Sequence, residues 1–357
     1  LAGAHKHPGK LDESAAMAAV PAPGTNYVPS LPQEVIAEGL LSDAQLEAVI
    51  YAGSAHQQHL PDETRKGYFI GDGTGVGKGR EIAGIMRDNW GQGRRRHVWI
   101  SKTQSLFADA QRDVQGTGWD PELLLKQSST RLADALPDRD GILFTTYDTV
   151  KSPARGGSDQ SRLDQIVAWL GEDFDGVIAF DEAHKMGNAL AQETERGRKE
   201  PSKVALAGLE LQDRLPQARV VYVSATGATK VENLTYAKRL GLWGPETPFG
   251  TAAQFIDEVA KGGVAAMELV ASDLKAVGSY MARSLSYDGV TYDRLEHPLT
   301  ATQREQYDTF AEAWQVVLNH IRQALEETEG GGTQRANRPW KGDMVGDRDG
   351  RIGMQEQ

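Results

Sequence analysis

The sequence predicts an α/β fold, a parallel sheet with helices on both faces, and three observations predict it. From Gly67 onward, short apolar runs alternate with helix-like segments, and strands buried on both faces read as near-continuous apolar runs. A glycine loop, Gly71-Asp72-Gly73-Thr74-Gly75-Val76-Gly77-Lys78-Gly79-Arg80, follows the run Tyr68-Phe69-Ile70 and precedes the helix-like Glu81-Ile82-Ala83-Gly84-Ile85-Met86. Strand, glycine loop, helix is a setting in which backbone N–H groups close on a phosphate. A later apolar strand, Val177-Ile178-Ala179-Phe180, ends in Asp181-Glu182.

Taken in order, residues 1–33 are rich in Ala, Pro and Gly (Pro21, Pro23, Pro29, Pro32) and read as an extended arm. Ser42-Asp43-Ala44-Gln45 has the Ser-x-x-Gln form of a capping box and opens a helix with Leu46, Val49 and Ile50 on its apolar face. Strands are expected at Tyr68–Gly71, Val98–Ser101, Gly141–Thr145, Val177–Phe180 and Val220–Val223, with helices over about 80–90, 104–114, 160–170 and 203–213. Such units join by right-handed crossovers, and ligands bind beyond the carboxyl ends of the strands. After about 231 the pattern changes. Trp243-Gly244-Pro245 and Pro248-Phe249-Gly250 read as turns, and a helix follows around 251–261.

Thr302-Gln303-Arg304-Glu305 is a second capping box, starting a long helix. Its stripe of Tyr307, Phe310, Trp314, Val317, Leu318, Ile321 and Leu325 is expected to pack on the domain or a neighbour. The Gly- and charge-rich end reads as a mobile segment or a boundary. The expected division is an N-terminal arm (1–33), a nucleotide-binding lobe (34–245), a helical extension (246–326) and the last segment (327–357).

At 357 residues the chain holds one large α/β domain with additions, or two modest domains. With 39% hydrophobic and 25% charged residues it is not wholly disordered. The absence of cysteine excludes disulfides, thiolate metal sites and cysteine nucleophiles. A net charge of -11 argues against wholesale nonspecific nucleic-acid binding, so such a surface is expected as a local basic patch or elsewhere in the protein. No apolar run approaches the roughly 18 residues of a membrane span, and no membrane partner is expected. The start lacks an initiator Met and a secretory apolar core, so a fragment of a longer chain is expected.

The chemistry concentrates in three motifs. In the loop, glycines permit tight turns and close approach of N–H groups to an anion, and Lys78 can reach β- and γ-phosphates. Gly79 stands where a Ser or Thr hydroxyl usually holds Mg²⁺, which makes the loop a variant. In Asp181-Glu182-Ala183-His184, Asp181 can anchor Mg²⁺ partly through water, and Glu182 can orient and deprotonate an attacking water. His184 can link the γ-phosphate to the third motif, Ser224-Ala225-Thr226, at the end of the strand that follows. Arg94-Arg95-Arg96-His97 is the densest basic run; it reads either as a phosphate contact or as a solvated loop.

In this order and spacing, Gly75-x-Gly77-Lys78, Asp181-Glu182-Ala183-His184 and Ser224-Ala225-Thr226 resemble motifs I, II and III of superfamily 2 helicases, with a DEAH-type motif II. Further matches point to the strawberry notch family of helicase-like proteins. They are the stretch Leu41 to Val49, the whole loop decapeptide, Asp109-Ala110-Gln111-Arg112-Asp113, Ser224-Ala225-Thr226-Gly227 and Leu240-Gly241-Leu242-Trp243-Gly244. The resemblance covers roughly 27–325. It implies the first RecA-like lobe of a P-loop NTPase that takes ATP and Mg²⁺. Gly73, Thr74, Gly75, Val76, Gly77, Lys78, Gly79 and Arg80 would then cradle the phosphates.

Gln45 would read the adenine, or it simply closes the capping box on Ser42. Ser101, Lys102 and Thr103 match a motif that touches the nucleic-acid backbone, and Thr146, between Thr145 and Tyr147, occupies a similar strand end; the alternative for all is strand-end hydrogen bonding. Ser224 and Thr226 would couple the two events. The implied function is the ATP-hydrolysing motor lobe of a nucleic-acid helicase or translocase, with DNA favoured over RNA. The alternatives are an NTPase switch that remodels assemblies without unwinding, or a nucleotide-binding coregulator scaffold. No Gln-x-x-Gly-Arg-x-x-Arg-like element occurs, so arginine fingers are expected from a second RecA-like lobe of the full-length chain. An arginine of that kind can be worth about 10³ to 10⁵ in rate, and residues 1–357 alone are expected to hydrolyse ATP weakly and not to unwind duplexes. A cytoplasmic location in a bacterial or phage-like source is expected.

Overall fold

The computed structural model describes residues 3–154, 160–194, 197–226 and 231–329. The chain divides into two compact units, Leu1–Asp288 and Gly289–Gln357.

The first unit is built on seven strands: β1 (Tyr68–Ile70), β2 (Arg96–Ser101), β3 (Leu124–Lys126), β4 (Gly141–Thr146), β5 (Val177–Asp181), β6 (Arg219–Val223) and β7 (Tyr280–Met281). Their order is β7-β1-β6-β5-β2-β4-β3, and every pairing is parallel. This is the α/β sheet of a P-loop NTPase. The five expected strands are all present, and β3 and β7 join them at the two edges.

Alternation along each strand divides the core in two. Phe69, Val98, Ile100, Leu143, Ile178, Phe180, Val220 and Tyr222 belong to one buried cluster. Tyr68, Ile70, Trp99, Ile142, Phe144, Val177, Ala179, Val221 and Val223 belong to the other. Helices α1 (Asp43–Ala55), α2 (Lys78–Gly91) and α3 (Phe107–Gly116) bury residues in the second cluster. Helices α4 (Arg162–Leu170), α5 (Lys203–Arg214) and α6 (Ala252–Ala276) bury theirs in the first. A strand covered on both faces has no polar position to spare, which is why these segments read as continuous apolar runs.

Local signals set the helix starts. Ser42 and Gln45 exchange both bonds of a capping box at the head of α1. Ser161 and Asp164 do the same for α4, and Ser202 and Thr251 cap α5 and α6. Where the expected helix 104–114 begins, Gln104–Leu106 forms a 3₁₀ turn that leads into α3. The helix expected around 251–261 continues to Ala276, passing a kink at Gly263 (φ 60°) that only glycine adopts without strain.

The N-terminal segment is extended and tied down. Leu11–Asp12 pairs antiparallel with Ser284–Leu285, Asp43 N–H donates to the His5 carbonyl (2.7 Å), and Tyr27 O–H and Ser30 N–H both donate to buried Asp88.

In the second unit the described structure is one helix, α7 (Ala301–Glu329). Its capping box is made by Thr300 and Gln303, not by Thr302 and Glu305: Gln303 N–H donates to Thr300 Oγ1 (3.3 Å) and Thr300 N–H to Gln303 Oε1 (3.0 Å). Both pairs have the same Thr-x-x-acceptor spacing, so the sequence alone ranks neither. Tyr307, Phe310, Trp314, Val317, Leu318 and Ile321 are exposed; the side chain of Leu325 and residues 330–357 of the last segment lie outside the described residues. Among the described residues, no helix is long and apolar enough to cross a membrane.

Candidate functional site

The strand order sets the carboxyl ends of β1, β6, β5 and β2 side by side, and each of the sequence motifs leaves from one of them. The glycine loop leaves β1 and runs into α2. Its first amides are bound to the edge strand and the residues after it: Gly71 N–H donates to the Met281 carbonyl (2.6 Å) and Gly73 N–H to the Arg283 carbonyl (2.7 Å). Gly77, at φ 101°, is the residue from which α2 starts. That angle requires glycine, and a Cβ there would stand 2.3 Å from Gln45 Nε2, displacing its amide from Val76. Lys78 lies against the loop, its Nζ donating to the Gly73 carbonyl (3.2 Å). Gly75 is also left-handed (φ 93°). Gly79 and Arg80 are in the first turn of α2, where unpaired N–H groups and the helix dipole favour an anion. The Arg80 side chain turns away to the Leu40 carbonyl (3.1 Å).

Gln45 uses both ends of its amide. Its Oε1 accepts from Ser42 N–H (3.0 Å) and its Nε2 donates to the Val76 carbonyl (3.1 Å). The capping-box role is present, and the free end of the side chain is joined to the phosphate loop. His7, from the N-terminal segment, places Nε2 3.2 Å from the same Val76 oxygen.

Asp181 ends β5 next to Val223 of β6. Ser101 Oγ donates to its carboxylate (2.8 Å) and Tyr147 O–H to its carbonyl (2.8 Å). Burial pushes the Asp181 carboxyl above the usual aspartate range; the Ser101 hydroxyl bond and the Lys78 charge pull the other way. Glu182 follows in the left-handed region (φ 53°), a conformation that costs about 1 kcal/mol or more for a non-glycine residue. His184 Nδ1 lies 3.0 Å from Ser224 Oγ and 3.3 Å from Glu182 Oε2. Thr226 N–H donates to Ser224 Oγ (3.3 Å). One chain of contacts thus runs from Glu182 through His184 and Ser224 to Thr226. Gly227, the last residue of that motif, lies outside the described residues.

The candidate nucleic-acid residues divide into two pairs. Lys102 and Thr103 are exposed past the end of β2. Ser101 is buried on Asp181, and Thr146 caps the short helix Tyr147–Val150 through Thr149 N–H (3.3 Å). The basic run lies at the amino end of β2, away from these strand ends, and its members are engaged. Arg94 pairs with Asp175 (2.8 Å), Arg95 stacks on Trp90, Arg96 pairs with Asp138, and His97 is buried.

Two features escaped the sequence. The first is Arg283, buried beneath the loop. It donates to Asp72 (Nη2–Oδ2 2.7 Å), to Glu81 (3.1 Å), to Glu47 (3.0 Å) and to the Ala44 carbonyl (2.9 Å). Asp72 and Glu81 are fully buried, and burial together with Asp72 pushes the Glu81 carboxyl well above its ordinary range. The second is Asp113 on α3. A Cβ on Gly79 would stand 1.9 Å from Asp113 Oδ2, so this carboxylate occupies the place of the side chain the loop lacks. No local pattern includes Arg283, and the stretch Asp109–Asp113 that includes Asp113 assigns it no role, because each meets its partners only through the tertiary fold.

Asp181 and the Asp113 carboxylate over Gly79 are oxygen donors of the kind a hard divalent cation such as Mg²⁺ takes. The set can hold a phosphate, a cation and a water with a carboxylate base.

Comparison with known proteins identifies the family. The model of the family described as P-loop containing NTP hydrolase pore-1 matches residues 6–309. Protein strawberry notch of Drosophila melanogaster is 42% identical over 328 residues, covering 90% of this chain and 20% of that protein. Strawberry notch homolog 1 of Homo sapiens is 40% identical (90% and 23%), and FORGETTER 1 of Arabidopsis thaliana 40% (86% and 24%). The chain therefore spans about a fifth to a quarter of the length of these relatives. Among solved structures, the Sulfolobus solfataricus SWI2/SNF2 ATPase core domain is 15% identical, with a TM-score of 0.43 over 67% of this chain and 42% of that one. The DUF1998 helicase MrfA bound to DNA and AMPPNP is 15% identical, with a TM-score of 0.39 over 61% and 29%. By the extent of the family match and its similarity to the strawberry notch proteins, the chain belongs to the P-loop containing NTP hydrolase pore-1 family.

Proposed function

We propose that this chain is the ATP-binding and hydrolysing motor lobe of a superfamily 2-like nucleic-acid helicase or translocase. The observation that carries the reading is the meeting, at adjacent strand ends, of a glycine loop with Lys78, the Asp181-Glu182 pair, and Ser224 in contact with His184. ATP as substrate sets its β- and γ-phosphates against the N–H groups at the head of α2, and Lys78 exchanges the Gly73 carbonyl for a phosphate oxygen. Bound Mg²⁺ would neutralise charge on the phosphate oxygens, with Asp181 holding it partly through water. Glu182 accepts the proton of the water that attacks the γ-phosphate in line. His184, between Glu182 and Ser224, passes the state of the phosphate site to Thr226. Gln45 meets the adenine once its hold on Val76 is released. Arginine fingers come from a second lobe of the full-length polypeptide. Nucleic acid, DNA in preference to RNA, lies along Lys102 and Thr103, with Ser101 and Thr146 shaping that edge from within.

Mg²⁺-dependent ATPase of the full-length protein tests this. Lys78→Ala and Glu182→Gln should each abolish turnover, and wild-type rates in both would overturn the assignment. The net charge of -11 favours, as a second reading, a nucleotide switch that acts on a protein assembly. Under that reading nucleic acid does not stimulate hydrolysis; under the first it does.

A further inference from the structure

We propose that Asp113 replaces the missing Ser or Thr hydroxyl of the phosphate loop as a direct ligand of the nucleotide-bound Mg²⁺. The inference rests on the ATPase reading above and adds a ligand that the loop motif does not contain. Phosphate loops of the common type hold Mg²⁺ through a hydroxyl on the residue after the lysine. Here that residue is Gly79, and without a side chain it offers no oxygen.

The missing oxygen comes from another helix. A Cβ on Gly79 would meet Asp113 Oδ2 at 1.9 Å, Cγ at 2.7 Å and Cβ at 3.4 Å. The carboxylate thus fills the volume where a loop side chain would project. Glycine at 79 and a carboxylate at 113 are two halves of one arrangement: any larger residue at 79 would expel Asp113.

An ordinary structural task accounts poorly for this placement. The Arg80 guanidinium approaches through Nε only to 4.0 Å from Oδ1, the other oxygen, and spends its Nη1 on the Leu40 carbonyl (3.1 Å). Arg112, the next residue on α3, pairs with Asp109 (2.8 Å). Among the described residues no hydrogen bond reaches Asp113 Oδ2. Burial pushes the Asp113 carboxyl above the usual range; the charges of Arg112 and Arg80 pull it down, and Asp109 and Asp181 add smaller repulsions. Two neighbouring carboxylates at the phosphate end of α2 call for a cation between them and the nucleotide.

The test measures binding of a fluorescent, non-hydrolysable ATP analogue to the full-length protein, with and without MgCl₂. Asp113→Asn should leave metal-free binding and thermal unfolding unchanged and raise the MgCl₂ concentration needed for tight binding by about 10- to 100-fold, the loss of affinity typical of disturbing a metal site. Gly79→Ser alone should do the same by displacing the carboxylate. Gly79→Ser combined with Asp113→Ala, which leaves only a 3.4 Å contact at the new Cβ, should restore the Mg²⁺ response by moving the ligand into the loop. An unchanged Mg²⁺ response in Asp113→Asn, or no recovery in the double variant, overturns the inference and leaves the ATPase reading standing. If Lys78→Ala does not weaken metal-free binding, both fall together.

Discussion

Replacing Arg283 by Met should strongly destabilise the protein, and the structure sets the size of the effect. The guanidinium makes three contacts to Asp72 (2.7, 3.1 and 3.4 Å) and one to Glu81 (3.1 Å), both fully buried. Removing one partner of a buried pair costs about 3–5 kcal/mol, because the remaining charge has neither water nor counter-ion. Glu47 is half exposed and adds little. Burial and Asp72 push the Glu81 carboxyl above its ordinary range, while the Arg283 charge holds it down. The expected loss is about 3–4 kcal/mol, or roughly 4–7 °C in melting temperature for a chain of this size.

Urea unfolding of the wild type and Arg283→Met at pH 7.5 and 5 measures it. Arg283 lowers the proton affinity of Glu81 and Glu47, so the folded variant binds protons more tightly than the folded wild type. Its deficit must therefore shrink as pH falls. Asp72→Asn in the Arg283→Met background should return much of the loss. A deficit below about 1 kcal/mol, one that grows on acidification, or strictly additive substitutions would refute the account.

Two further outcomes are expected. Burial lowers His56 and His97 to about 3 from 6.5. The stability these histidines contribute is complete above pH 6.5 and is lost as pH falls toward 3, by about 1.4 kcal/mol per unit for each. Unfolding free energies at pH 6.5 and 5 should differ by about 3 kcal/mol from this pair, and His56→Gln should roughly halve that slope; an undiminished slope would rule out His56 as a source. Ser224→Ala should lower the ATPase kcat by about 2- to 10-fold, the worth of one hydrogen bond, with nucleotide affinity unchanged. A variant that instead loses affinity at constant kcat would place Ser224 in binding.

The parts of the fold legible in the sequence are those whose signal is local. Five strands gave themselves away because a strand covered on both faces must be apolar throughout, as Val177–Phe180 is. The loop was legible because Gly75 and Gly77 adopt left-handed angles that few other residues tolerate. Strand β7 has two residues, too few to carry a period, and Gly262-Gly263 read as the end of a helix that in fact bends and continues. Of the site, Lys78, Asp181, Glu182 and Ser224 follow directly from strand ends. Arg283 and Asp113 do not, since each is an ordinary charged residue until the sheet order brings it to the loop. Ser101 was legible as a strand-end hydroxyl, but its bond to Asp181 depends on β2 lying beside β5.

The edge strand has a consequence for how the molecule is made. Strand β1 pairs with Val221–Val223 and with Tyr280–Met281, all distant in sequence, whereas β2, β3 and β4 pair among near neighbours. Contacts between remote segments form only after their closure entropy has been met. During synthesis the glycine loop leaves the ribosome long before Met281 and Arg283, whose carbonyls receive its first two amides. The glycine loop is thus made well before the residues that secure it.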